Sequence, residues 1–147
     1  MKSLWTFGLT ALLAVTLFAQ TDASPVPAYH KDPPAKGEKL PPILPAGERI
    51  GPAFTRDFQE HAYELAAKIP NVIYQLPCYC YCDRSVGHKS LHSCYEGTHA
   101  AHCSACLKEL YFAYDETKKG KTPSQIRAAI EKGEWEKIDL NTAAQIN

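Results

Sequence analysis

All six cysteines of this 147-residue chain lie between residues 78 and 106, in the order CxCxC, eleven residues, C, eight residues, CxxC. Four of the six histidines, His88, His92, His99 and His102, fall in the same window. No other feature restricts the fold as strongly, because thiols and imidazoles crowded into so short a span must be ligated, crosslinked or held apart.

The chain on either side sets the body that this window belongs to. Lys2 precedes an uncharged, mostly apolar run from Leu4 to Ala19, and Thr21 and Ala23 are placed for cleavage near Ser24, so residues 1–23 read as a secretory signal peptide. A retained span is the weaker reading, since a membrane helix uses about 20 apolar residues and this run is shorter. The first cysteine is Cys78, which leaves no thiol near the cleavage point for a lipid. The expectation is an extracytoplasmic protein, periplasmic or secreted, with no stable membrane span after cleavage.

Residues 24–52 carry Pro25, Pro27, Pro33, Pro34, Pro41, Pro42, Pro45 and Pro52, which predicts an extended, polyproline-II-like linker. Residues 53–147 remain for a single small domain, of a size at which crosslinks or metal sites matter to stability. Sixteen basic residues balance sixteen acidic ones, and no basic run is dense enough to follow a phosphate backbone, so nucleic acid is excluded as a partner.

The periodicity of that domain is helical, and the expected fold class is mainly α, with about three helices around a Cys/His-rich loop. Phe54, Phe58, Ala62, Leu65 and Ile69 recur at helical spacing, with Thr55 as the expected N-cap and Pro70 as the stop. Residues 71–76 are too short a stretch to classify, and residues 83–101, with Gly87 and Gly97, predict loop or very short elements. A second helix carries Cys103, Leu107, Leu110, Tyr111 and Tyr114 on one stripe and ends before Gly120. Thr122, Pro123 and Gln125 form a capping-box start for a third, stopped by Gly133, with Trp135, Ile138 and Leu140 as apolar cover.

Three chemistries compete for the cysteine window. An even cysteine count in an exported chain ordinarily means disulfides. In an extended CxC unit, however, the Cα atoms stand about 6.7 Å apart, at the upper edge of disulfide geometry, and disulfides give no role to four nearby histidines. A thiol–disulfide oxidoreductase would use Cys103 and Cys106 at a helix start, where thiolate is stabilised, but no βαβ pattern precedes them. Metal binding uses both residue types.

Were residues 77–82 extended, Cys78 and Cys82 would lie about 13 Å apart on one face, too far for bonds of about 2.3 Å to one ion. Either the segment curls or its thiols serve two or more ions. Six thiolates plus two imidazoles supply two four-coordinate sites. Such donors favour copper or zinc, while iron–sulfur spacing and the CxxCH of attached haem are absent. No carboxylate base is evident inside the cluster, which argues against a hydrolytic zinc enzyme.

The blocks PCYCYC (77–82), GHKSLHSCY (87–95) and HAAHCSACL (99–107), together with the TPSQIR helix start, resemble the bacterial proteins grouped by a PCYCGC motif. The resemblance implies an exported or lipid-anchored protein and, position by position, a set of eight matching residues: Cys78, Cys80, Cys82, His88, Cys94, His99, Cys103 and Cys106. Tyr81 departs from the motif, standing where the namesake has glycine. The resulting expectation is an exported protein that holds copper or zinc for sequestration, delivery or electron transfer, with metal ions and another extracytoplasmic protein as partners. A disulfide-stabilised interaction domain and a CxxC oxidoreductase are the alternatives.

Overall fold

A computed structural model describes residues 24–147; the signal peptide expected at residues 1–23 lies outside the described residues. The described residues form α1 (Asp57–Lys68), α2 (Pro70–Ile73), α3 (Cys82–Ser85), α4 (Leu91–Cys94), α5 (Ser104–Lys118), α6 (Pro123–Glu131) and α7 (Leu140–Ala143), with three short 3₁₀ turns and no strand. The expected helical class is the one found, with α1, α5 and α6 as its long helices.

Helix α5 is the central element. Leu107, Leu110, Tyr111, Ala113 and Tyr114 are all buried on it, and it packs against α1, α2, α4, α6 and α7. From α1 come Ala62, Tyr63, Leu65 and Ala66, and from α6 come Ile126 and Ile130. Each large apolar side chain withdrawn from water in this way contributes roughly 1.5–3 kcal/mol.

The helix ends follow local chemistry. Thr122 caps α6, its hydroxyl accepting from Gln125 N–H while the Gln125 side chain accepts from Thr122 N–H. Gly120 and Gly133 hold φ of 80° and 75° just past α5 and α6, a conformation that glycine reaches without Cβ strain. At α1 the expected cap is corrected: Arg56 rather than Thr55 occupies the N-cap, because the Gln59 side chain reaches back to accept from both Thr55 N–H and Arg56 N–H. Pro70 has no N–H to continue α1 and becomes the first residue of α2.

The proline-rich residues form no α-helix, and they run along the domain surface. Leu44 N–H donates to Tyr95 O at 2.9 Å, His30 N–H to Tyr74 O at 3.4 Å, and Ala28 N–H to Asp83 Oδ2 at 3.0 Å. Leu44 and Pro27 are buried by these contacts. No described helix is long and apolar enough to cross a membrane.

Candidate metal centre

The CxCxC segment is not extended. Tyr81 N–H donates to Cys78 O at 3.1 Å, closing a turn, and Tyr81 itself sits at φ 56°, ψ 30°, the one non-glycine residue with positive φ among those described. Cys82 then opens α3 directly. Curling replaces the separation of an extended strand with contact: Cys78 Sγ and Cys80 Sγ are 3.3 Å apart.

Left-handed backbone costs a residue with a Cβ roughly 1–2 kcal/mol, a cost that glycine escapes. The Tyr81 ring offsets part of it, lying beneath the Arg84 guanidinium at 4.3 Å and edge-on to Tyr79 at 5.7 Å. Cutting the ring away separates the two effects. Tyr81→Gly should be more stable than Tyr81→Ala by about 1 kcal/mol, the reverse of the usual order, as read from urea-denaturation midpoints. Equal midpoints would mean that the turn relaxes.

The opposite wall is built at the start of α5. Cys103 is the N-cap and Cys106 lies in the first turn, so the pair faces one way at the end of a helix where N–H groups favour thiolate. Two buried tyrosines fix the loop that leads there. Tyr95 OH donates to Cys106 O at 2.9 Å; Tyr63 OH donates to Gly97 O at 2.7 Å and accepts from Ala101 N–H at 3.2 Å. Leu91 N–H donates to Leu76 O at 2.8 Å, which brings α4, and with it Cys94 at its last position, alongside the CxCxC turn.

These constraints converge on one cluster. Cys78 Sγ lies 3.2 Å from Cys106 Sγ, Cys82 Sγ lies 3.3 Å from Cys94 Sγ, and Cys80 Sγ lies 3.7 Å from Cys106 Sγ. His99 Nε2 is 3.7 Å from Cys80 Sγ and His88 Nδ1 is 3.3 Å from Cys94 Sγ, with the two imidazole centroids 4.8 Å apart. None of the six cysteines is joined in a disulfide.

Three overlapping groups have every donor atom within 4.8 Å of the others: Cys78, Cys80, Cys82 and Cys94; Cys80, His99, Cys103 and Cys106; and Cys82, His88, Cys94 and His99. The eight residues singled out in the sequence are thus brought together, and each group is a Cys/His set that can hold a metal ion. Sulfurs on a tetrahedron with bonds of about 2.3 Å stand about 3.8 Å apart. The closest sulfur pairs stand 3.2–3.7 Å apart and no donor pair within a group exceeds 4.8 Å, so the side chains bracket such a site.

The other histidines do other things. His92 is buried, but its Nδ1 pairs with Glu96 Oε1 at 2.9 Å. His102 is exposed, His30 stacks on Tyr74 at 3.8 Å, and His61 Nδ1 meets the Tyr111 hydroxyl at 3.2 Å.

Six thiols in contact share their protons unequally. Hydrogen bonds from Cys103, Cys106 and Cys78 hold Cys80 far below the ordinary thiol range, and those from Cys78 and Cys94 push Cys82 down to about 3. Cys106 is pushed up by its hydrogen bond with Cys103, and Cys78 by its bonds with Cys106, Cys80 and Cys82.

The sequence reading missed one member of this neighbourhood. Glu109 is fully buried on α5, its Oε1 accepts from Tyr79 N–H at 2.7 Å, and its Oε2 has no protein partner. Burial pushes its carboxyl up to about 8, against the lowering effect of the Tyr79 N–H and of Cys78. Glu109 lies beside the donor groups rather than among them, a carboxyl that the sequence did not single out. The signal was present in the spacing: Cys103, Cys106 and Glu109 follow at intervals of three, which puts them on one side of the helix.

The sequence model of one protein family, described as a protein of unknown function with PCYCGC motif, matches residues 46–138. No curated protein and no solved structure matches the chain.

Proposed function

We infer, from the premise that the chain belongs to the family of proteins of unknown function with PCYCGC motif, that it is an exported metal-binding protein that holds copper or zinc in its Cys/His cluster. The observation that carries this reading is the meeting of six sulfurs and two imidazoles in three overlapping four-donor groups. Thiolate-rich donors prefer soft ions, and copper as Cu(I) is the first choice, with Zn²⁺ the second.

Each group offers four protein donors, so an ion held by all four has no open position for substrate. Glu109, a carboxyl beside the cluster, is buried and engaged with Tyr79. Binding for sequestration, delivery or electron transfer follows more naturally from these features than hydrolysis does. Cleavage of residues 1–23 would release such a protein outside the cytoplasm, where metal is acquired and exchanged.

The test is elemental analysis with a free-thiol count on protein purified from its native compartment. Two or more copper or zinc ions per chain, with all six thiols titrating after chelation in denaturant, is the expected result. Protein without metal and with three disulfides would sink the reading. Cys78–Cys106 and Cys82–Cys94, close sulfur pairs from separate segments at 3.2 and 3.3 Å, would be the first disulfides to look for.

A further inference from the structure

The three donor groups differ in which atoms they share, and sulfur and nitrogen share differently. A thiolate sulfur has lone pairs enough to bind two ions at once, whereas each neutral imidazole nitrogen has one lone pair at most. The group of Cys80, His99, Cys103 and Cys106 has one buried member and three half-buried ones. It is the outer face of the cluster. The group of Cys78, Cys80, Cys82 and Cys94 has three buried members and is the inner one.

Cys80 is the single residue common to both groups. Its sulfur lies between them, 3.3 Å from Cys78 Sγ on the inner side, and 3.7 Å from both Cys106 Sγ and His99 Nε2 on the outer side. The remaining group, with His88, shares His99 with the outer group and Cys82 and Cys94 with the inner one. Filling it beside the outer group makes two ions compete for one imidazole.

Resting on the metal-binding reading above, we propose that Cys80 is a bridging thiolate, joining an outer ion held by His99, Cys103 and Cys106 to an inner ion held by Cys78, Cys82 and Cys94. Seven side chains then supply two complete four-donor sets. Each sulfur that still carries a proton releases it to solvent on binding, and no electron moves. His88 is left as a hydrogen-bonding neighbour of the Cys94 sulfur rather than as one of the inner ion's four donors.

Cadmium-113, a soft divalent ion with a nuclear spin, detects a shared sulfur directly. The reduced full chain is loaded with ¹¹³Cd²⁺ without oxygen and its cadmium spectrum recorded. Two resonances with scalar coupling between them are expected, since coupling between the metals passes through a common sulfur. Cys80→Ser should abolish that coupling, while His88→Ala keeps both resonances and their coupling. Cys103→Ser, altered in the outer group only, should leave the inner resonance.

Two uncoupled resonances, or a single resonance, would overturn the bridge while leaving metal binding intact. No cadmium retained after desalting would overturn the metal-binding reading with it. Absence of coupling in the wild type overturns the bridge by itself, so a Cys80→Ser chain that fails to fold does not rescue the idea.

Discussion

Loading the reduced protein with Cu(I) or Zn²⁺ is expected to raise its unfolding free energy by about 4 kcal/mol when the free ion stands a thousandfold above its dissociation constant. A chelator should reverse the gain. The reason lies in where the donors come from: the turn at Cys78–Cys82, the end of α4, His99 and the start of α5. An unfolded chain cannot keep these segments together. It retains only the local CxCxC and CxxC thiols, so the ion prefers the folded state. Urea midpoints with and without chelator, under reducing conditions, measure the difference. Coincident midpoints would mean that the donors do not act as one site.

The second large effect is a pH dependence carried by Glu109. Its carboxyl is raised from 4.5 to about 8 in the folded chain, chiefly by burial. Between those values the folded state holds a proton that the unfolded state has released. The stability associated with neutral Glu109 is therefore complete below pH 4.5 and is lost as the pH rises through about 8. Each tenfold difference in proton affinity between the two states is worth about 1.4 kcal/mol, so the loss by pH 8 is about 4 kcal/mol.

The thiols titrate as well, and the lowered groups Cys80 and Cys82 act in the opposite direction, so the informative quantity is the difference between wild type and Glu109→Gln. Metal-free wild type should lose stability relative to Glu109→Gln as the pH is raised from 5 to 8, by an amount on that scale. Parallel stability curves would show that Glu109 does not titrate in this interval. The same glutamate holds Tyr79 N–H beside the cluster, so removing the side chain altogether loosens the CxCxC turn in addition to changing its charge.

Much of the helical frame was legible because its signals are local. Thr122–Pro123–Gln125, Gly120 and Gly133 each act within one turn of the chain, and they mark the ends of α5 and α6 where the structure has them. The missed cap of α1 depends on the Gln59 side chain choosing the backbone of Thr55 and Arg56, a competition between neighbours that propensity alone does not resolve. The short helices α2, α3 and α4 escape a periodicity reading for a plainer reason: four residues complete barely one turn, so no stripe repeats.

The proline-rich residues show a similar limit. Composition predicts their extended backbone, but composition says nothing about the surface on which such a backbone lies, and here Leu44 is paired with Tyr95 and buried. Glu109 is the clearest case within the cluster region. A glutamate on an amphipathic helix is ordinarily solvated, and only the packing of the CxCxC turn over α5 excludes water from this one.

Taken by itself, the sequence determined the ingredients of the centre: six thiols, four imidazoles in the same window, and a helix start beneath Cys103 and Cys106. It also posed a choice at residues 77–82, curl or extended strand, that it had no means of resolving. Tertiary structure decided that choice. The turn at Tyr81 is tolerated because Arg84 and Tyr79 pack on its ring and because Cys82 enters α3, and it folds sulfurs otherwise strung along a strand into contact with α4 and α5. Which donors group together, which sulfur lies between the groups and which glutamate is sealed beside them depend on distances between segments far apart in the chain. Those distances are set by the burial of Tyr63, Tyr95 and the α5 core, forces that act on the whole domain at once.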